Sequence, residues 1–301
     1  MVAVPMLLPV RRDVKAYGLQ IGAAGLLVLV GVLQVAALVP IIVLILGALL
    51  GGFAFGYGNE LSQLPLQLRL MKISGISAQN LRLGSEAGAL LGIVLTGLLF
   101  PASRQFPVAL ILLLPLAPVV FFKSLSASAS KEKPPAYDSV CAVQGFLFGA
   151  LFGLLPLWVR VVEGAKCFDF AMILLAFALG RTLSGLVPFV WPALRYVLIA
   201  LCLIVATSFP GWVGLLAFLL LGILAAGSDA YLVSRLPDEV NLPRRWQTLL
   251  RSSALGGLVG AFAVGLVTQV IGLTAGMPLL VGGFVLMAWF IGQHPFQSSS
   301  A

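Results

Sequence analysis

Residues 211–233 read GWVGLLAFLLLGILAAGSDAYLV, a continuous apolar run with a single charged side chain, Asp229. A helix needs about 20 apolar residues to cross the hydrocarbon core of a bilayer, so this run is long enough to span it once. Its apolar residues do not alternate with polar ones, which favours a transmembrane helix over a strand of a β-barrel. The stretch therefore predicts a chain embedded in a membrane.

Nine further apolar runs determine the predicted fold class. We expect an all-α, polytopic membrane helix bundle of about ten transmembrane helices. The first two runs are separated only near Pro40 and are too long together for one span, so they predict a helical hairpin. The nine runs lie at residues 18–38, 39–58, 83–100, 105–123, 140–159, 168–188, 194–209, 252–272 and 276–293.

The overall composition agrees with lipid as the main solvent of the protein. Of 301 residues, 60% are hydrophobic and 9% are charged, whereas a soluble domain carries about 25% charged residues. The net charge of +8 would suggest nucleic acid in a soluble protein, but no basic stripe is interleaved with aromatic residues. We therefore expect the lipid bilayer as a partner, and no nucleic acid.

The basic residues predict how the chain is oriented. If the N-terminus is cytoplasmic and every run crosses the bilayer, only Arg104, Arg160 and Lys166 of the 18 Lys and Arg residues fall outside. Cytoplasmic loops of membrane proteins carry such an excess of basic residues. The bias predicts an integral, multi-pass membrane protein with both termini in the cytoplasm, in a bacterial-type inner membrane or its equivalent.

A polar segment divides the runs into four before it and six after it. Residues 124–137, SLSASASKEKPPAY, are small and polar with a Pro pair, a composition typical of a flexible linker. We predict a helical half over residues 1–123, a cytoplasmic linker over 124–137 and a six-helix half over 138–301.

The two halves share the motif Ser-x-x-Gly-x-x-x-Gly, which follows a glycine-rich run and a basic loop in each half. Small residues at this spacing let transmembrane helices approach closely, so we expect these glycines, with Gly145 and Gly149, to pack helices together. Both copies face the same way, which predicts a parallel repeat about an axis along the membrane normal. The copies are Ser85, Gly88 and Gly92, and Ser253, Gly256 and Gly260.

With this linker, repeat and glycine pattern, the chain resembles the major facilitator superfamily, whose members have two six-helix halves joined by a longer cytoplasmic linker. Gly145 and Gly149 resemble the start of the family's seventh helix, and residues 180–185 resemble the end of its eighth. The segment with Gly256 and Gly260 resembles the eleventh helix. The resemblance implies a pseudo-repeat of four and six helices, in which the first four spans match the third to sixth helices of a first half.

The sequence departs from the family pattern in two places. In the second-half copy of the family's loop signature, Gly185 and Arg195 are present but the acidic residue is not. The first two helices are also missing, and in the family the first helix lines the central cavity with the fourth, seventh and tenth. The resemblance then implies that the reading frame starts late, that another membrane protein replaces the missing helices, or that the protein no longer transports.

Polar residues inside apolar runs are the candidates for solute or ion contacts, because they are costly in a bilayer. Asp229 could form a cation or proton site, or it could lie near the cytoplasmic end and pair with Arg235. Gln34, Gln144 and Gln269 could each contact a substrate, or could form hydrogen bonds between helices. The sequence alone leaves both alternatives open for all four.

Three other charged residues have simpler interpretations. Glu86 is at the cytoplasmic start of its helix, where the helix macrodipole favours an acid, and Asp169 enters its helix from the outer side. Arg181 is near the inner end of its helix, and we interpret it as a residue that sets topology.

The sequence contains no pattern expected of an enzyme. It has one histidine, His294, and three dispersed cysteines, which predicts neither a metal site nor a redox pair. No Ser–His–Asp set, P-loop or dinucleotide fingerprint occurs, so we expect no catalytic residues and no cofactor. Two functions stay open: a facilitator-type transporter for a small, weakly charged or apolar solute, and a non-transporting subunit or assembly factor of a larger membrane complex.

Overall fold

The computed structural model describes a subset of the chain, and every regular element in that subset is a helix. The described residues are 16–36, 39–47, 49–51, 53–54, 137–161, 167–184, 191–236 and 242–293. The predicted all-α class is confirmed for them. The predicted runs 83–100 and 105–123, together with Gly88 and Gly92, lie outside the described residues.

Four of the described helical segments are long and apolar enough to cross a membrane. This property indicates a membrane-embedded protein, as the sequence predicted. A bundle of about ten spans stays a prediction. The four segments are Ser139–Val161, Trp212–Arg235, Thr248–Ile271 and Leu273–Gln293.

A first compact unit contains helices α1 (Ala16–Ala36) and α2 (Ile41–Gly51). Pro40 separates the two helices, and its carbonyl accepts a hydrogen bond from the backbone N–H of Val43 at 3.0 Å. Proline interrupts a helix because it has no N–H to donate, and it is tolerated just where a new helix starts. This is the position at which the sequence predicted the bend of a hairpin.

The two helices of this unit pack against each other through glycines of α2. A Cβ on Gly47 would lie 2.7 Å from Val30 Cγ2, and a Cβ on Gly51 would lie 2.9 Å from Leu27. The later residue of α2 therefore contacts the earlier residue of α1. The helices are antiparallel, as in the predicted hairpin.

A second compact unit contains six described helices, and each overlaps one apolar run that follows the predicted linker. Helix α4 ends before Gly185 and Pro188, which are poor helix formers. Helix α7 begins ten residues before its apolar run, because the polar residues that precede the run continue the helix. The helices are α3 (Ser139–Val161), α4 (Cys167–Leu183), α5 (Pro192–Ser208), α6 (Trp212–Arg235), α7 (Leu242–Ile271) and α8 (Gly276–Gln293).

Tight turns connect two pairs of consecutive helices. Gly211, with φ of 87°, lies between α5 and α6, and Gly272, with φ of 92°, lies between α7 and α8. Only glycine adopts such positive φ values at little cost, so both tight turns depend on it. The turn after α5 places α5 and α6 as antiparallel neighbours, whereas α7 and α8 contact each other only sparsely.

Helix α3 packs most extensively against α7, α4 against α6, and α5 against both α6 and α8. The core of the unit is apolar, with Leu151, Ile199 and Phe284 fully buried. Helix α7 differs from the other three membrane-length segments because only 11% of its apolar window is buried, against 39–56% in the others. Its contact with the unit is concentrated on one narrow side.

That narrow side brings the backbones of α3 and α7 into contact. A Cβ added to Gly145 would overlap the backbone of Ser253, and a Cβ added to Gly149 would overlap the backbone of Gly257. Residue numbers rise together on the two helices, so α3 and α7 are parallel. Small residues are what allows helices to approach this closely in a bilayer.

The glycines of the repeated motif contribute the other half of this interface. A Cβ on Gly256 would overlap the carbonyl of Ala142, and a Cβ on Gly260 would overlap the carbonyl of Phe146. The second-half copy of the motif therefore forms the surface of α7 that packs against α3.

Candidate functional site

Four helices of the second unit bring polar side chains together at one end of the bundle. Gln144 on α3 and Tyr196 on α5 lie near the starts of their helices, whereas Arg181 on α4 and Asp229 on α6 lie near the ends. Each is within about two turns of its helix terminus. Consecutive helices thus run in opposite directions, and the polar end is the one that the charge bias assigns to the cytoplasm.

Asp229 is the centre of this network. Its Oδ2 lies 3.1 Å from Nη1 of Arg181, and its Oδ1 accepts a hydrogen bond from Nε2 of Gln144 at 2.6 Å. The side chains of Arg181 and Asp229 are only 22% and 16% exposed. One carboxylate therefore links α3, α4 and α6 inside a largely apolar unit.

Gln144 extends the network to α5. Its Oε1 accepts a hydrogen bond from the hydroxyl of Tyr196, and both side chains are fully buried. A buried tyrosine hydroxyl usually requires a partner, and a buried amide is costly unless both of its ends are used. The order Tyr196–Gln144–Asp229–Arg181 meets these requirements with groups from four different helices.

The aromatic ring of Phe177 lies beside the Arg181 guanidinium. Its Cζ lies 5.9 Å from the centre of the Phe177 ring, which is a cation–π distance. The Phe177 ring in turn meets Phe152 of α3 edge to face, with ring centres 4.9 Å apart. The ion pair is therefore bordered by apolar groups, where charges interact more strongly than in water.

Glycines make the approach of α4 and α6 close enough for this ion pair. A Cβ on Gly180 would overlap the carbonyl of Leu219, and a Cβ on Gly222 would overlap the carbonyl of Phe177. Gly180 immediately precedes Arg181, so the closest contact between the helices adjoins the charged residue.

Arg195, which the charge bias counts among the cytoplasmic basic residues, lies at the start of the predicted apolar run 194–209. The structure shows it as a buried residue in the first turn of α5, because Pro192 begins that helix. Proline is favoured at the first helical position, where its missing N–H is not needed. Nη1 of Arg195 donates to the carbonyl of Gly227 on α6, and a Cβ on Gly227 would lie 3.4 Å from Arg195 Cζ.

The start of α3 is joined to α7 at the same end of the unit. Asp138 caps the helix by accepting a hydrogen bond from the N–H of Cys141 at 2.8 Å, as short polar side chains do at helix N-termini. The Asp138 N–H donates to Ser252 Oγ at 3.0 Å, and Ser253 Oγ donates to the Cys141 carbonyl at 3.1 Å. Ser253 of the repeated motif thus forms a hydrogen bond with α3, the helix against which the glycines of the motif pack.

The structure brings together two of the four polar candidates from the sequence. Asp229 and Gln144 are hydrogen-bonded to each other. Gln269 is exposed on α7, two residues before that helix ends and away from the network. Gln34 lies in α1, in the other unit, and its side chain is outside the described residues.

Sequence reasoning missed two members of the network. The sequence indicates only a topology role for Arg181, and no pattern in it marks Tyr196. Asp229 pairs with Arg181 across a helix interface, whereas the sequence suggests Arg235, which lies on the same helix. The available signal was Gly180 beside Arg181, since a small residue next to a charge marks where a neighbouring helix can reach that charge.

The network can tie helices together and can release them if the ion pair opens. Within the described helices, no group of three or more His, Cys, Asp or Glu side chains is arranged to hold a metal ion. Comparisons with protein-family models, with curated proteins and with solved structures find no match.

Proposed function

We propose that this chain is a multi-pass membrane protein of about ten helices, related to the major facilitator superfamily, which transports a small, weakly charged or apolar solute. The observation that supports this proposal is the pair of Asp229 and Arg181, bonded to Gln144 inside an apolar bundle. Ionisable residues in a bilayer are costly and mark functional sites by default. Alternating access requires contacts that close one end of a bundle and can open again, and this pair has the position for that role.

The charge balance of the pair supports a solute of low charge. The carboxylate of Asp229 faces the guanidinium of Arg181 at 3.1 Å, so the two charges largely cancel at a distance. A pair of this kind does not attract an ionic solute as a lone carboxylate would. Away from the polar end, where Arg195 and Ser252 are also buried, the core cluster of the unit is apolar.

We propose that both termini are cytoplasmic, because of the distribution of basic residues. In a bacterial host, alkaline phosphatase inserted at residues 162–166 is expected to be active, since that enzyme matures only outside the cytoplasm. Green fluorescent protein fused after Ala301 is expected to fluoresce, since it folds inside. If instead green fluorescent protein inserted at residues 162–166 fluoresces and phosphatase fused after Ala301 is active, the orientation is the opposite of the proposed one.

Transport can be tested with purified protein in phosphatidylcholine vesicles. We expect vesicles with the protein to swell faster than empty ones in at least one of a panel of small neutral solutes and weak acids. Asp229→Asn is expected to slow this swelling, because it removes the charge through which α6 holds Arg181 of α4. Trp289→Phe, at a side chain that is 62% exposed, serves as the control and should leave the rate unchanged. Folded protein that accelerates none of the solutes would contradict a transport function.

A second candidate function is that of a non-transporting subunit or assembly factor of a larger membrane complex. It is favoured by the hydrogen bonds and the ion pair that the network's polar groups form with one another. A bundle that only packs against a partner does not need a polar group that is available to a solute. The glycine motif of α7 packs against α3. The sequence repeats that motif at Ser85, Gly88 and Gly92, outside the described residues. Under this alternative, another membrane protein supplies the helix that packs against the first-half copy of the motif. Isolation of the tagged chain in a stoichiometric complex with a second membrane protein, together with absent transport, would support it.

A further inference from the structure

A small cavity lies at the end of the second unit opposite to the polar network, where α3, α4, α5, α6 and α8 meet. Its volume is about 10 Å³, and a site of roughly 10–15 Å³ is what one water molecule needs. Most of its wall is apolar, with Phe218 and Met277 as examples, but Trp158 and Thr207 also line it. A cavity of this size admits one oxygen-sized group.

Trp158 gives the cavity a hydrogen-bond donor that lacks an acceptor. The residue is 8% exposed, and across the described helices its Nε1 is the one buried side-chain nitrogen or oxygen without a hydrogen-bond partner. An unsatisfied buried donor costs about 1–3 kcal/mol, and a buried indole N–H usually finds a partner. The unsatisfied donor therefore belongs to a residue that lines the cavity.

Thr207 adds a second polar group to the wall. Its hydroxyl donates to the carbonyl of Leu203, one turn earlier, at 2.9 Å. The lone pairs of that oxygen can still accept a hydrogen bond. A water molecule in the cavity could therefore accept from Trp158 and donate to Thr207.

The position of Trp158 along α3 indicates where the acceptor comes from. Trp158 lies 19 residues after Ser139, which begins α3, or about 28 Å along the helix axis. That distance is close to the roughly 30 Å thickness of the hydrocarbon core. Since α3 starts at the polar end of the unit, Trp158 reaches the opposite membrane interface, where water and lipid ester carbonyls are both present and where tryptophan is enriched.

We propose that this cavity binds a single acceptor oxygen, supplied by water or by the ester carbonyl of a lipid, which accepts the hydrogen of Trp158 Nε1. Both sources present the same chemistry to the indole. The site is separate from the Asp229 network and does not depend on whether the protein transports a solute.

The test uses the full chain with 15N-labelled tryptophan in phosphatidylcholine nanodiscs. The indole N–H signal of Trp158 is the one that disappears in Trp158→Phe, while Trp289→Phe removes a different signal and serves as the control. We expect the Trp158 proton to resonate downfield, at a hydrogen-bonded position. A Trp158 signal at an unbonded position would overturn the proposal.

Two further comparisons identify the source of the oxygen. If it is water, the Trp158 signal shows a cross-peak to water that Thr207→Val removes, while the signal itself moves upfield. If it is a lipid carbonyl, Thr207→Val has no effect, and ether-linked phosphatidylcholine moves the signal upfield instead. Thr182→Val is the matched control, because the Thr182 hydroxyl also donates to a carbonyl of its own helix but does not line the cavity. A signal that responds to neither change would overturn both sources.

Discussion

Replacement of Gly256 by alanine is expected to lower the free energy of unfolding by about 3 kcal/mol, the upper end of the usual cost of overpacking. The new Cβ would overlap the carbonyl oxygen of Ala142 and would lie 2.9 Å from the backbone nitrogen of Phe146. Backbone atoms cannot rotate away as a side chain can, so α3 and α7 have to separate along their length. Unfolding by sodium dodecyl sulfate from detergent micelles, followed by circular dichroism, measures the change.

Gly265→Ala is the matched control on the same helix. No atom lies within 4 Å of the Cβ that this change would add, so we expect an effect within about 0.5 kcal/mol. A small gain in stability would also agree, because alanine favours helix over glycine by up to about 1 kcal/mol. Equal losses from both substitutions would contradict the contact between α3 and α7 described above.

The second large effect is expected for Asp229→Asn, which should cost about 3 kcal/mol, the lower end of the range for breaking a buried ion pair. Asparagine keeps the shape of the side chain and can still accept from Gln144, but the charge opposite Arg181 is lost. The guanidinium then remains in a largely apolar environment without that carboxylate. The same unfolding assay measures the loss.

A second substitution distinguishes this cause from a general packing defect. Arg181→Gln, added to Asp229→Asn, removes the cation together with its counter-ion, and we expect it to restore about half of the lost stability or more. Arg235→Gln in the same background is the control, because Arg235 was the partner considered from the sequence. Recovery with Arg235→Gln and none with Arg181→Gln would contradict the ion pair.

Much of the described fold could be predicted from the positions of apolar runs. Helix α6 covers Trp212–Arg235, within a few residues of the run at 211–233, because a bilayer-length apolar run with few polar groups is most stable as a helix. The start of α7 could not be predicted in this way. Hydrophobicity marks only where a helix is buried in lipid, and α7 continues beyond that point as a polar helix from Leu242.

The site was only half predictable for a related reason. Asp229 and Gln144 were visible as polar residues in apolar runs, but their partners depend on which helices are neighbours. That information lies in pairs of glycines, such as Gly180 and Gly222, whose significance appears only when the two helices are placed together. Tyr196 gave no sequence signal, since a tyrosine in an apolar helix is common at membrane interfaces.

The spacing of small residues on α3 has a consequence for motion. Gly145, Gly149 and Gly153 recur every four residues, so a slide of α3 along α7 by four residues, about 6 Å, would place glycine where glycine was before. Intermediate positions would push side chains into backbone, so the interface favours a few discrete registers of α3 on α7. Ser252 and Ser253 of α7 hold α3 in one of these registers through their hydrogen bonds to Asp138 and Cys141.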